Sequence, residues 1–149
     1  MRLLVCGLDD KGVSCIVSET EIGFTPIPGL SGTGVSKLYG TTQSPPPSSP
    51  AGKGKFSGDG LKPGEVSWYV IKHPPRTPDI EHAGTEVHWR NAVDMVHILE
   101  GGGDMMLGDG PHPVGPGDCI LMPGSDHGLR VGAQGCTLMA YAVGTPPQA

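Results

Sequence analysis

Residues 116–127 read Pro116-Gly117-Asp118-Cys119-Ile120-Leu121-Met122-Pro123-Gly124-Ser125-Asp126-His127. Four apolar residues stand between two Pro-Gly corners, and a histidine follows the second corner. The run is too short for a stable helix. Proline fixes φ on one side of each corner and glycine admits the positive φ that a tight turn needs on the other. The segment therefore predicts a strand over residues 118–122, with His127 opening the next strand.

The same rhythm extends in both directions. Strands are expected at residues 85–90, 94–100, 102–107, 127–131 and 136–143, and Gly108-Asp109-Gly110 fits a hairpin turn. Upstream, residues 65–72 alternate, with Val66, Trp68 and Val70 on one face and Ser67, Tyr69 and Ile71 on the other. His73-Pro74-Pro75-Arg76-Thr77-Pro78 ends that run, because consecutive prolines supply no ladder donors. Residues 2–7 and 12–18 flank Leu8-Asp9-Asp10-Lys11 as an N-terminal hairpin, and residues 34–39 form a weaker strand. No window sustains an amphipathic helix. Many short strands with glycine-rich turns predict an all-β sandwich or closed barrel.

The chain has 149 residues, enough for one domain with a modest core. Glycine and proline are abundant, at 25 and 16 residues, but most punctuate the apolar runs. Residues 40–60 are the exception: one aromatic and little else to bury, which predicts a flexible Pro/Gly/Ser-rich loop, either a lid over a site or an inert connection. Residues 1–39 are then N-terminal strands packed on the barrel or on a partner subunit, and residues 61–149 are the barrel itself. With a net charge of −5 and only 10 Lys and Arg, the chain has no basic footprint for nucleic acid. No stretch is long and apolar enough to span a bilayer, and Asp9-Asp10 interrupts the opening apolar run, so a cytoplasmic location is expected. Cys6, Cys15, Cys119 and Cys136 have no CxxC or zinc-ribbon spacing and read as buried thiols.

Chemistry concentrates in a few polar side chains. His88 and Arg90 share a strand face by alternation, Asp94 begins the next strand after a short connection, and His127 arrives from another wall. Two imidazoles and a carboxylate suit a divalent transition metal, and three protein ligands leave positions open for water, substrate or dioxygen. The donor types do not distinguish Fe, Mn, Zn and Ni. Arg90 has two readings: a fork that grips an anionic substrate, or a structural partner for Asp94. Glu86 is a fourth ligand, a proton shuttle or a solvated edge residue. Trp68 is a candidate to stack on a planar substrate, His82 a candidate for the cavity mouth. His73, His97 and His112 read as non-ligands, His97 facing outward. Met95, His97 and Leu99 give the sheet apolar character on its outer side as well, so a homodimer is expected.

The string from His88 to His127 resembles the conserved barrel of the cupin superfamily over residues 65–143. The family places two histidines and a glutamate in a first motif ahead of a Leu-x-Gly turn, and a histidine in a second motif after a Pro-Gly-Asp strand. Here His88-Trp89-Arg90-Asn91-Ala92-Val93-Asp94 stands for the first, Leu99-Glu100-Gly101 for the turn, and residues 116–127 for the second. Asp94 falls at the glutamate position and Arg90 where a second histidine would stand, a pattern similar to a variant subgroup. The resemblance implies an antiparallel jelly-roll barrel with an N-terminal hairpin extension. It also implies a metal held by His88, Asp94 and His127.

On this reading the protein is a metal-dependent small-molecule enzyme of lyase or isomerase type, acting on an oxygenated, anionic keto or hydroxy acid or aromatic substrate. Arg90 and Glu86 are its catalytic candidates, and Arg90 and Trp68 its substrate contacts. A non-haem iron dioxygenase and a non-enzymatic binding cupin are the alternatives.

Overall fold

The computed structural model describes residues 1–58, 61–80 and 84–148. Short β-branched bursts between glycine and proline give strands throughout and, among the described residues, no helix. In chain order these are β1 (Arg2–Leu8), β2 (Ser14–Glu21), β3 (Thr25–Pro26), β4 (Gly34–Val35), β5 (Lys55–Phe56), β6 (Val66–His73), β7 (Gly84–Trp89), β8 (Ala92–Leu107), β9 (Gly110–Val114), β10 (Cys119–Met122) and β11 (His127–Gly144). Nine of them form one sheet in the order β2-β1-β10-β8-β11-β7-β5, with β6 added to β11 and β9 to β8. The sheet curls into a half-barrel.

The sheet is mixed, where a purely antiparallel one was expected. β1 runs parallel to β10, with Leu3 beside Cys119, and β5 runs parallel to β7, with Lys55 beside His88. The four strands expected at residues 94–100, 102–107, 127–131 and 136–143 are two long ones, β8 and β11, paired along almost their whole length. Both bend at the same place. Gly101 and Gly102 have φ of +67° and +149°, which lets β8 turn a corner without ending, and β11 answers with a register shift between Val131 and Cys136.

One face of the curled sheet holds the core. Leu4, Ile98, Met105, Ile120, Val131 and Leu138 are buried there, each aliphatic side chain adding roughly 1.5–3 kcal/mol by leaving water. Residues 40–58 do not all stand off the sheet: Pro46 is buried, Phe56 packs on Trp89 with ring centres 4.6 Å apart, and β5 extends the sheet beside His88 and Trp89. A Cβ at Gly52 or Gly54 would overlap the buried Asp126, so this segment lies against the strand that carries His127. No helix among the described residues is long and apolar enough to cross a membrane.

Arg2 ties the parallel pair together. Its Nε donates to Asp118 Oδ1 at 3.0 Å and its Nη2 to Asp118 Oδ2 at 2.8 Å, while the Gly115 amide donates to the same carboxylate at 3.0 Å. The bond from Arg2, with that from Gly115, outweighs burial and holds the Asp118 carboxyl below the usual carboxylate value of 3.8. A depressed folded-state pKa means that the unfolded chain takes up the proton more readily. The stabilisation is therefore complete above about pH 4 and fades as pH falls below it. Asp118→Asn is expected to unfold at lower urea than the wild type at pH 6, and the gap should close toward pH 2.5. A gap of constant size across that range would show that the carboxylate charge has no part in it.

Candidate functional site

The concave face encloses a cavity of about 290 Å³ walled largely by Ile71, Val96, Met105, Met122, Leu129 and Leu138. His88, Arg90, Asp94 and His127, singled out from the sequence on three separate segments, all line it. Pairing brings them there. His88 on β7 is the cross-strand partner of His127 on β11, and Asp94 on β8 is the partner of Ala142 on β11 and of Met122 on β10.

The two imidazoles face one another with ring centres 5.0 Å apart and planes tilted by 52°. Each is anchored two residues back along its own chain. His88 Nδ1–H donates to Glu86 O at 2.7 Å, and His127 Nδ1–H donates to Ser125 O at 2.9 Å. A carbonyl only accepts, so the proton of each neutral ring lies on Nδ1 and Nε2 keeps the lone pair. Burial lowers the pKa of His127, with the nearby Asp94 charge and the bond to Ser125 pulling the other way, and His88 and Arg90 adding to the depression. His127 is thus a neutral base beside a carboxylate and a guanidinium.

Arg90 and Asp94 form a two-pronged ion pair: Nε donates to Oδ2 at 3.1 Å and Nη2 to Oδ1. The carboxylate is almost fully enclosed, with 4% of its side chain exposed against 20% for the guanidinium. The structural-partner reading of Arg90 describes this contact, and the side chain still lines the cavity.

The donor set answers the metal question in two parts. An ion about 2.0–2.1 Å from two imidazole nitrogens, at angles of roughly 90–109°, sets the ring centres roughly 4.6–5.3 Å apart. The histidine pair has this spacing, and its anchored Nδ1 atoms are the usual outer support for ligating imidazoles. Asp94, however, is engaged on both oxygens by Arg90, and among the described residues no three His, Cys, Asp or Glu side chains gather closely enough to hold an ion.

Two candidates fall elsewhere. Glu86 is exposed and does not line the cavity; only its backbone carbonyl serves the site, through His88. Trp68 lies on the opposite face of the sheet with 71% of its surface exposed. Alternation along β6 gave two apolar faces, and the register chooses between them: Ile71 and His73 pair with Leu138 and Cys136, buried in β11, so they point inward. His73, read from the sequence as a non-ligand, also lines the cavity. Counting the alternation one residue beyond Lys72 finds it, and burial lowers its pKa. His97 faces outward, as expected from its alternation with Asp94 and Val96. His82 lies outside the described residues. No protein-family model matches the chain, and no curated protein is significantly similar to it.

Proposed function

We propose that the half-barrel is a cupin-like barrel and that its cavity is the active site of a small-molecule enzyme of lyase or isomerase type, moving a proton next to a carbonyl of a compact oxygenated acid. The observation that carries the reading is the convergence of two tautomerically fixed imidazoles and the Arg90–Asp94 pair in one apolar-walled cavity. A volume of about 290 Å³ is at the small end for ligand cavities and favours a keto or hydroxy acid, or a single oxygenated ring.

His127 takes the proton at Nε2. Its burial keeps it unprotonated and ready at neutral pH, and the Asp94 charge offsets part of the cost of the imidazolium that forms. The positive charge of Arg90 stabilises negative charge developing on the substrate's carbonyl oxygen, and the apolar walls limit the water that would screen it. His127 then returns the proton to a neighbouring atom, or the enolate expels a leaving group. His88 and His127 would supply the nitrogen donors for a divalent ion, whose chemistry would be to polarise the carbonyl, while Asp94 stays paired with Arg90.

Deuterium exchange tests the proposal. A panel of compact 2-oxo acids and oxygenated aromatics is incubated with the chain in D₂O, with and without added Mn, Zn, Fe or Ni, and loss of the proton next to the carbonyl is followed by NMR. At least one member should exchange faster than in buffer, and His127→Gln should slow that exchange by roughly 10²–10⁴-fold. No exchange across the panel, or equal exchange in His127→Gln, rejects the proposal. Oxygen uptake during turnover would move the assignment to a dioxygenase.

A further inference from the structure

The outer face of the sheet carries a second groove, of about 470 Å³, roofed by residues 36–39 and back to back with the inner cavity. Its floor is set by register. Cys119 on β10 is the direct cross-strand partner of His97 on β8, and His97 is the direct partner of Met139 on β11. Directly opposed residues point to the same face with Cβ atoms about 4.5–5.5 Å apart, so thiol, imidazole and thioether form one row across three adjacent strands. All three line the groove, and Met95 lines it from the neighbouring row. The first two ligand atoms are already close: His97 Nδ1 lies 3.1 Å from Cys119 Sγ.

We propose that this row binds a soft monovalent metal cation, Cu(I), through Cys119 Sγ, His97 Nδ1 and the sulfur of Met139. An ion about 2.0–2.3 Å from both nitrogen and sulfur fits a pair of donors at that separation with little movement. Thiolate with thioether selects Cu(I) over harder ions, and no carboxylate among the described residues lines the groove to favour Ca²⁺, Mg²⁺ or Mn²⁺. On binding, the Sγ–H bond breaks, its proton leaves to solvent, and sulfur and Nδ1 turn their lone pairs to the ion. Burial raises the Cys119 pKa and keeps the empty site a thiol. A free thiolate is therefore not exposed to oxidation, while a coordinating metal deprotonates the sulfur outright. A second sulfur pair, Cys6 with Met105 at 3.4 Å, belongs to the core cluster, and among the described residues no imidazole bonds to it.

The test uses the full chain, anaerobic and fully reduced, with Cu(I) supplied from a chromophoric Cu(I) chelator that competes for it. The wild type should withdraw one Cu(I) per chain, and X-ray absorption should show sulfur and nitrogen donors together. Cys119→Ser and the near-isosteric Met139→Leu, each checked for folding by circular dichroism, should weaken retention by at least about tenfold. Cys15→Ser and His127→Gln should retain Cu(I) as the wild type does. No retention by the wild type, retention by folded Met139→Leu equal to that of the wild type, or loss of retention in His127→Gln overturns the proposal; the last result would move the ion to the inner cavity.

Discussion

Asp94→Ala is expected to lower the unfolding free energy by about 3 kcal/mol, the lower end of the range for removing one partner of an enclosed ion pair. The lower end applies because 20% of the Arg90 side chain is exposed, so water reaches the guanidinium. Arg90→Met strands the more deeply enclosed carboxylate and should cost at least as much. The double variant Arg90→Met/Asp94→Leu removes both charges together and should recover most of the loss. Urea midpoints for the four proteins close the cycle. Single-variant losses below about 1 kcal/mol, or a double variant whose loss equals the sum of the singles, would show that the pair does not brace the β7–β8 corner.

Gly101→Ala should be strongly destabilising, costing more than about 3 kcal/mol. Two penalties coincide there. Gly101 has φ of +67°, where an L side chain costs roughly 1–2 kcal/mol, and a Cβ would overlap the Gly135 carbonyl oxygen on β11. Neither strand can yield without opening the pairing that carries His127 toward His88. Gly115→Ala is the matched control: a Cβ there meets nothing within 4 Å and φ is not positive, so its midpoint should stay within about 0.5 kcal/mol of the wild type. A midpoint for Gly101→Ala close to that of the control would mean that the corner is not rigid.

Much of this architecture can be read from the chain, for identifiable reasons. Two-residue alternation and Pro-Gly punctuation mark β6, β7 and β10 nearly to their ends, and they place His88, Arg90, Asp94 and His127 at positions that share one wall-lined space. Glycine misleads at the bend. Gly101 reads as a break between two strands, whereas its freedom and that of Gly102 let β8 continue round a corner. Long-range partners are not written locally either. Nothing near Leu3 announces a parallel neighbour at Cys119, and Trp68 could be assigned a face only once β6 was set against β11. The same limit hid the outer Cys119–His97–Met139 row, because its members are neighbours only in the folded sheet.

The parallel union of β1 with β10 has a consequence for how the chain is made. Arg2 and Asp118 are 116 positions apart, so at typical synthesis rates the first strand waits on the order of ten seconds for its neighbour to leave the ribosome. Until then β2 is the already-made strand that pairs with β1, whose Leu4 and Cys6 are destined for the interior. The β1–β2 pair is therefore exposed to wrong pairing in the nascent chain, and the exposed Glu19 and Glu21 on the edge strand β2 guard it against adding a foreign strand.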